Sequence, residues 1–146
     1  MRNQKTLFFT LIFLISSCAS GNSPLENMLA GSSARVTALQ EKVKDFHTAL
    51  YWGSLEEAVI NVEQTYKKEF IRKVRNFSSN HKFTNLELLS IEYNEDITEA
   101  TIHVKVKYYK IPTYIVETSI TEEIWKFDRF GGGWFLTSRV EIEDNK

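Results

Sequence analysis

Residues 100–108 read Ala100-Thr101-Ile102-His103-Val104-Lys105-Val106-Lys107-Tyr108. Apolar side chains fall at every second position, with threonine, histidine and lysine between them. Successive side chains of a strand point to opposite faces, so the stretch predicts a strand with one buried and one wet face. The same period extends in both directions. Leu86–Tyr93 reads as the preceding strand, and Asn94-Glu95-Asp96 as the turn between the two. Pro112 marks the next turn, because proline has no N–H to give a ladder. Tyr114–Phe127 reads as a third strand. Its run Ile120-Thr121-Glu122-Glu123-Ile124-Trp125 does not keep apolar residues on one face, which predicts a bulge near Glu122-Glu123. Asp128–Gly133 is a hairpin loop, and Trp134, Leu136, Val140 and Ile142 are expected along one face of a fourth strand.

Upstream, the period changes to that of a helix. Val36, Leu39, Val43, Phe46 and Leu50 recur at spacings of three and four, up to Trp52-Gly53. Ser54 with Glu57 reads as a capping box. Leu55, Val59, Val62, Tyr66, Phe70, Val74 and Phe77 continue as one long helix, or as two with a kink between Asn61 and Thr65. Helices followed by four consecutive antiparallel strands define an α+β fold, with the helices packed on a curved meander. The expected core includes Leu39, Phe46, Val59, Phe70, Val104, Val106 and Trp134.

The chain has 146 residues and a formal net charge of −1. That length supports one domain, and the charge argues against a nucleic-acid partner. Its single cysteine, Cys18, excludes an internal disulfide. Residues 1–17 stand apart from the periodic segments. Arg2 and Lys5 precede the nine-residue run Leu7–Ile15. As a helix this run is about 14 Å long, too short for a hydrocarbon core of about 30 Å. A charged start, a short apolar run and small residues after it predict a secretory signal peptide. Residues 18–34, rich in Ser, Gly and Asn, read as a flexible tether of roughly 20–25 Å root-mean-square length. Residues 35–142 are the folded domain, and 143–146 a tail.

Ile15-Ser16-Ser17-Cys18 resembles the lipobox of bacterial lipoproteins. That resemblance implies lipidation of Cys18, cleavage before it, and a membrane partner held through the acyl chains. Two or three chains are enough for stable anchoring. It also implies a cell-envelope location, with Ala19 after the cysteine favouring the outer membrane in a cell that has two.

A second resemblance covers residues 35–142. Ala49-Leu50-Tyr51-Trp52-Gly53-Ser54-Leu55-Glu56-Glu57-Ala58 resembles the helix–glycine–helix opening of the nuclear transport factor 2-like superfamily. Glu123–Asp128 followed by Gly132-Gly133-Trp134-Phe135-Leu136 resembles its terminal hairpin. A cystatin-like helix-over-sheet domain shares much of this architecture. The resemblance implies a cone with a cavity between helices and sheet. Some members of the superfamily are enzymes, such as ketosteroid isomerase, scytalone dehydratase and limonene epoxide hydrolase, and many only bind.

In such a cavity Tyr51, Tyr66 and Tyr108 are candidate hydroxyl groups. Glu122, with Glu123 beside it at the break in alternation, is the candidate carboxylate. The sequence contains no HExxH spacing for a metal and no Gly-x-Ser-x-Gly elbow. Gly131-Gly132-Gly133 lacks the Lys-Ser/Thr of a phosphate loop. No cofactor, metal or catalytic set is therefore expected. Lys67, Lys68, Arg72, Lys73 and Arg75 form a basic helix face, solvated or set against anionic headgroups. The expected function is non-catalytic binding of a small apolar ligand or an envelope protein. The alternatives are an isomerase- or dehydratase-like enzyme using the same cavity, and an accessory subunit of an envelope assembly.

Overall fold

Three helices lead into four strands in a computed structural model that describes residues 31–142. The signal peptide 1–17, Cys18, most of the tether and the tail 143–146 lie outside the described residues. Helix α1 spans Ser32–Trp52, so it takes in the last three residues of the stretch read as tether. It buries Leu39, Val43, Phe46, Ala49 and Leu50, which occupy one helical face. Gly53 ends it at φ 74°, a left-handed conformation that glycine adopts without steric cost.

Helix α2 is the short segment Leu55–Ile60, with Ser54 at its N-cap. The expected capping box is absent: Ser54 makes no side-chain cap bond. Its N–H already donates to the Ala49 carbonyl at 2.8 Å, so Glu57 has no free donor to reach. The helical pattern then breaks at Asn61–Tyr66, within and just past the stretch where a kink is expected. The cause is tertiary. Glu63 N–H donates to the Leu136 carbonyl at 2.9 Å, and Leu136 N–H donates to Asn61 at 2.8 Å. Pairing with the last strand replaces a helical turn, and helix α3 resumes at Lys67–Ser78.

The sheet is the meander β1 (His81–Tyr93), β2 (Glu99–Lys110), β3 (Ile115–Asp128) and β4 (Gly133–Ile142), in the order β1-β2-β3-β4. Strand β1 starts five residues before the alternation becomes legible, because Thr84 and Leu89 are extra residues that break it. Such bulges bend and twist a strand. Ala100, Ile102, Val104 and Val106 of β2 are buried, as the alternation requires. On β3 the inward face carries Thr121, Glu123 and Trp125, all buried, and the pairing with β2 runs through Glu122 and Glu123 without interruption. The expected bulge at Glu122-Glu123 is therefore corrected. It lies on β4, where Thr137 is the extra residue between Leu136 and Ser138.

That bulge also corrects the expected face of β4. Trp134 and Leu136 are buried, but the alternation inverts at Thr137. Arg139 then stands opposite Glu123, and Glu141 opposite Thr121, on the inner side. Val140 and Ile142 are exposed. Of the expected core, Leu39, Phe46, Phe70, Val104, Val106 and Trp134 are buried, while Val59 is only partly so, because α2 is short and lies at the margin.

The two ends of the sheet differ. At one, Arg35 of α1 donates to the Asp96 carbonyl at 3.1 Å, and Trp134 Nε1 donates to the Arg35 carbonyl at 2.9 Å. At the other, the β2–β3 hairpin exposes Ile111, Tyr114, Ile115 and Val116. Among the described residues no helix is long and apolar enough to cross a membrane.

Candidate functional site

Glu123 is the most tightly held polar group of the interior. It comes from the middle of β3 and is fully buried. His47, from α1, places Nε2 3.1 Å from both carboxylate oxygens. Arg139 Nε donates to Oε1 at 3.1 Å, and Trp125 Nε1 to Oε2 at 3.2 Å. Burial alone raises the pKa of this carboxyl. The charge and hydrogen bond of His47, then Arg139 and Trp125, outweigh that effect and bring it down to about 2, from an ordinary 4.5. Glu123 is thus an ionised group whose oxygens are already committed, the opposite of a general base poised near neutral pH.

Two hollows lie on either side of this cluster. Arg139 borders the first, a cavity of about 320 Å³ between α3 and the inner face of the sheet. Its apolar wall is the stripe Tyr66, Phe70, Val74 and Phe77, which helical spacing brings onto one line. Phe77 stacks on Phe83 at 4.7 Å and meets Tyr108 edge-on at 5.1 Å. Ser119 and Thr121 supply hydroxyls from β3, and Glu141 and Lys73 are its further charged residues. Lys73 pairs with Glu69 at 2.7 Å, which raises the lysine pKa and lowers that of the glutamate. His47 borders the second hollow, a groove of about 430 Å³ between α1 and β1.

The four residues expected to share one cavity are distributed over three places. Tyr66 and Tyr108 both border the cone cavity. The Tyr66 hydroxyl donates to the Arg139 carbonyl at 3.2 Å and accepts its N–H at 3.1 Å, so it fastens β4 to the start of α3. Burial, followed by the nearby charges of Glu141 and Glu117, pushes the Tyr108 phenol up. Tyr51 instead borders the α1–β1 groove and is half exposed. Glu122 lies on the outer face of the sheet, 3.4 Å from His103 Nε2, because period two turns it away when Glu123 turns in. The inward carboxylate is thus Glu123, and its partners His47 and Arg139 are residues the periodicity did not single out. Counting back by twos from inward Trp125 reaches Glu123, the one signal available. Among the described residues no group of three or more His, Cys, Asp or Glu is placed to hold a metal ion.

Helices laid over a curved four-stranded antiparallel sheet, with a cavity between, make this a nuclear transport factor 2-like cone fold. Solved structures share it at low identity. A ketosteroid isomerase-like protein from Erwinia carotovora atroseptica superposes with a TM-score of 0.58 at 10% identity, over 73% of this chain and 95% of that one. A cystatin-like protein from Nostoc punctiforme gives 0.52 at 10%, over 75% and 91%. A SEC-C motif containing protein from Rhodopseudomonas palustris gives 0.54 at 11%, over 66% and 73%. At such identities the likeness defines the fold alone. No family model matches the chain, and no curated protein matches it.

Proposed function

We propose that this chain is a lipid-anchored protein of the bacterial cell envelope whose cone domain binds a small, largely apolar ligand without transforming it. The observation that carries the binding reading is the cavity of about 320 Å³ walled by Phe70, Val74, Phe77, Phe83 and Val106, with a few hydroxyls from Tyr108, Ser119 and Thr121. Apolar walls with a small number of polar groups are the usual composition of a ligand site. The state of Glu123 favours binding over isomerase-like chemistry. Its oxygens accept from His47, Arg139 and Trp125, and its carboxyl is held low.

The anchoring reading rests on Ile15-Ser16-Ser17-Cys18 and the apolar run before it. Membrane attachment is then the task of the acyl chains on Cys18, with the outer membrane as destination in a cell that has two.

Both parts are tested on the full chain expressed in a bacterial host. Intact mass should show an acylated Cys18 at the new N-terminus, and Cys18→Ala should leave the membrane fraction or remain uncleaved. Native mass spectrometry of the protein released from its membrane should show a bound apolar species, lost in Ser119→Trp, which fills the cavity. An unmodified Cys18 overturns the anchor. Turnover of the bound species by the purified protein overturns binding without chemistry.

A further inference from the structure

We propose that the groove between α1 and β1 is a second binding site, for a planar apolar carboxylate held by Lys44 and His47 against Tyr51 and Trp52. The groove follows from the sequence. Gln40, Lys44, His47, Thr48 and Tyr51 fall on one face of α1 by helical spacing. Opposite them, β1 is bent by its two extra residues, Thr84 and Leu89, and offers Asn85, Leu86 and Leu88.

Charge decides the ligand. The residues that border the groove include Lys44 and His47 and no aspartate or glutamate. Behind His47, two basic side chains share one buried carboxylate: Arg139 and His47 both bond Glu123. Arg139 already balances Glu123 on the far side, so Lys44 and His47 meet the groove with no acid bordering it, and a single anion there has two basic side chains to face. His47 has the atom for that contact. Nε2 is committed to Glu123, while Nδ1 has no partner among the described residues and is not sealed from solvent. A ligand carboxylate accepts the Nδ1–H, leaving the imidazolium between two carboxylates. A hydrogen bond between two ionised partners is among the strong ones. The charged groups around His47 are Glu123 from β3, Arg139 beyond it on β4, and Lys44 on its own helix; Asn85, Leu86 and Leu88 of β1 carry none.

The body of the ligand is set by the walls. Trp52 is 77% exposed and meets Tyr51 edge-on at 5.1 Å. Leu88 is 47% exposed across from them. Aromatic faces and a leucine suit a flat apolar group, and a volume of about 430 Å³ is within the range of small-molecule sites.

The experiment titrates the full chain, in a neutral detergent, with naphthalene-2-carboxylate and with its uncharged counterpart 2-naphthamide. Calorimetry gives the affinity, and the ring nitrogen shifts of His47 report its place. The carboxylate is expected to bind at least about tenfold more tightly than the amide, the scale of one charged hydrogen bond. Lys44→Gln and Trp52→Ala, both away from the buried cluster, should each weaken the carboxylate several-fold. Ser119→Trp, in the cone cavity, should leave it unchanged. Equal affinity for the two probes, binding of neither, indifference to Lys44→Gln, or loss in Ser119→Trp with unmoved His47 signals would each overturn the assignment.

Discussion

Arg139 reaches Glu123 directly across the β3–β4 ladder, Nε 3.1 Å from Oε1, only because Thr137 is one residue too many. Without that bulge the alternation from Trp134 and Leu136 would place Val140 inside and Arg139 outside. The bulge is thus what gives the buried carboxylate its guanidinium. The hydroxyl of Thr137 donates to the Ile124 carbonyl at 3.1 Å, across the point where the register slips.

Deleting Thr137 is therefore expected to be far more damaging than substituting it. The deletion turns Arg139 outward and strands Glu123 without its strongest permanent cation. Thr137→Ser should retain the wild-type melting temperature to within a few degrees, whereas the deletion should abolish the cooperative transition seen by near-ultraviolet circular dichroism.

Glu123→Gln should cost about 3–5 kcal/mol, the scale of a buried ion pair with one partner removed. The loss comes from Arg139 and His47, left facing an amide that cannot balance them. Urea unfolding of the wild type and the variant measures it directly. A loss below about 1 kcal/mol, the level of an exposed pair, would contradict the burial described here.

The same carboxylate sets an acid limit. Its pKa lies at about 2 in the folded chain against 4.5 ordinarily. A depressed pKa means that the unfolded chain binds the proton more tightly, so the stabilisation is complete above pH 4.5 and is lost as pH falls through about 2. The stability gap between wild type and Glu123→Gln should accordingly be flat just above that window and close within it. Unfolding curves at a series of pH values provide the check.

Trp134→Ala should destabilise by about 3–5 kcal/mol, the usual range for truncating a buried aromatic. The side chain is buried, packs edge-on against Phe127 at 5.5 Å, and bonds the Arg35 carbonyl. Trp52→Ala, at an exposed position, should change the melting temperature little, and the two variants compared by calorimetry separate core from rim.

Gly53→Ala tests the helix end alone. No atom stands within 4 Å of the added methyl, so only the positive φ of 74° opposes it. The expected cost is about 1 kcal/mol, read as a shift in the denaturation midpoint with an unchanged slope.

Much of the architecture was legible because it obeys a single period. The buried stripe of α1 and the alternation of β2 need nothing beyond their own residues. The site was less legible, for two physical reasons. A bulge shifts every later side chain to the other face, and nothing in Leu136-Thr137-Ser138 advertises one. A charged residue in a strand reads as solvent-facing unless its partners are known, and those of Glu123 lie 76 residues before it and 16 after. Glu122 and Glu123 are chemically alike as neighbours. Only the register with β2 and β4 separates the outer from the inner.

The contact of Arg35 with Asp96 and Trp134 gives the domain a direction. The chain enters at that pole, while Tyr114 sits at the far end of β2, about 35 Å away at the rise of a strand. The uncovered side chains of Ile111, Ile115 and Val116 therefore stand at the pole farthest from Gly31, so the apolar end of the domain and the end where the chain leads in are opposite one another.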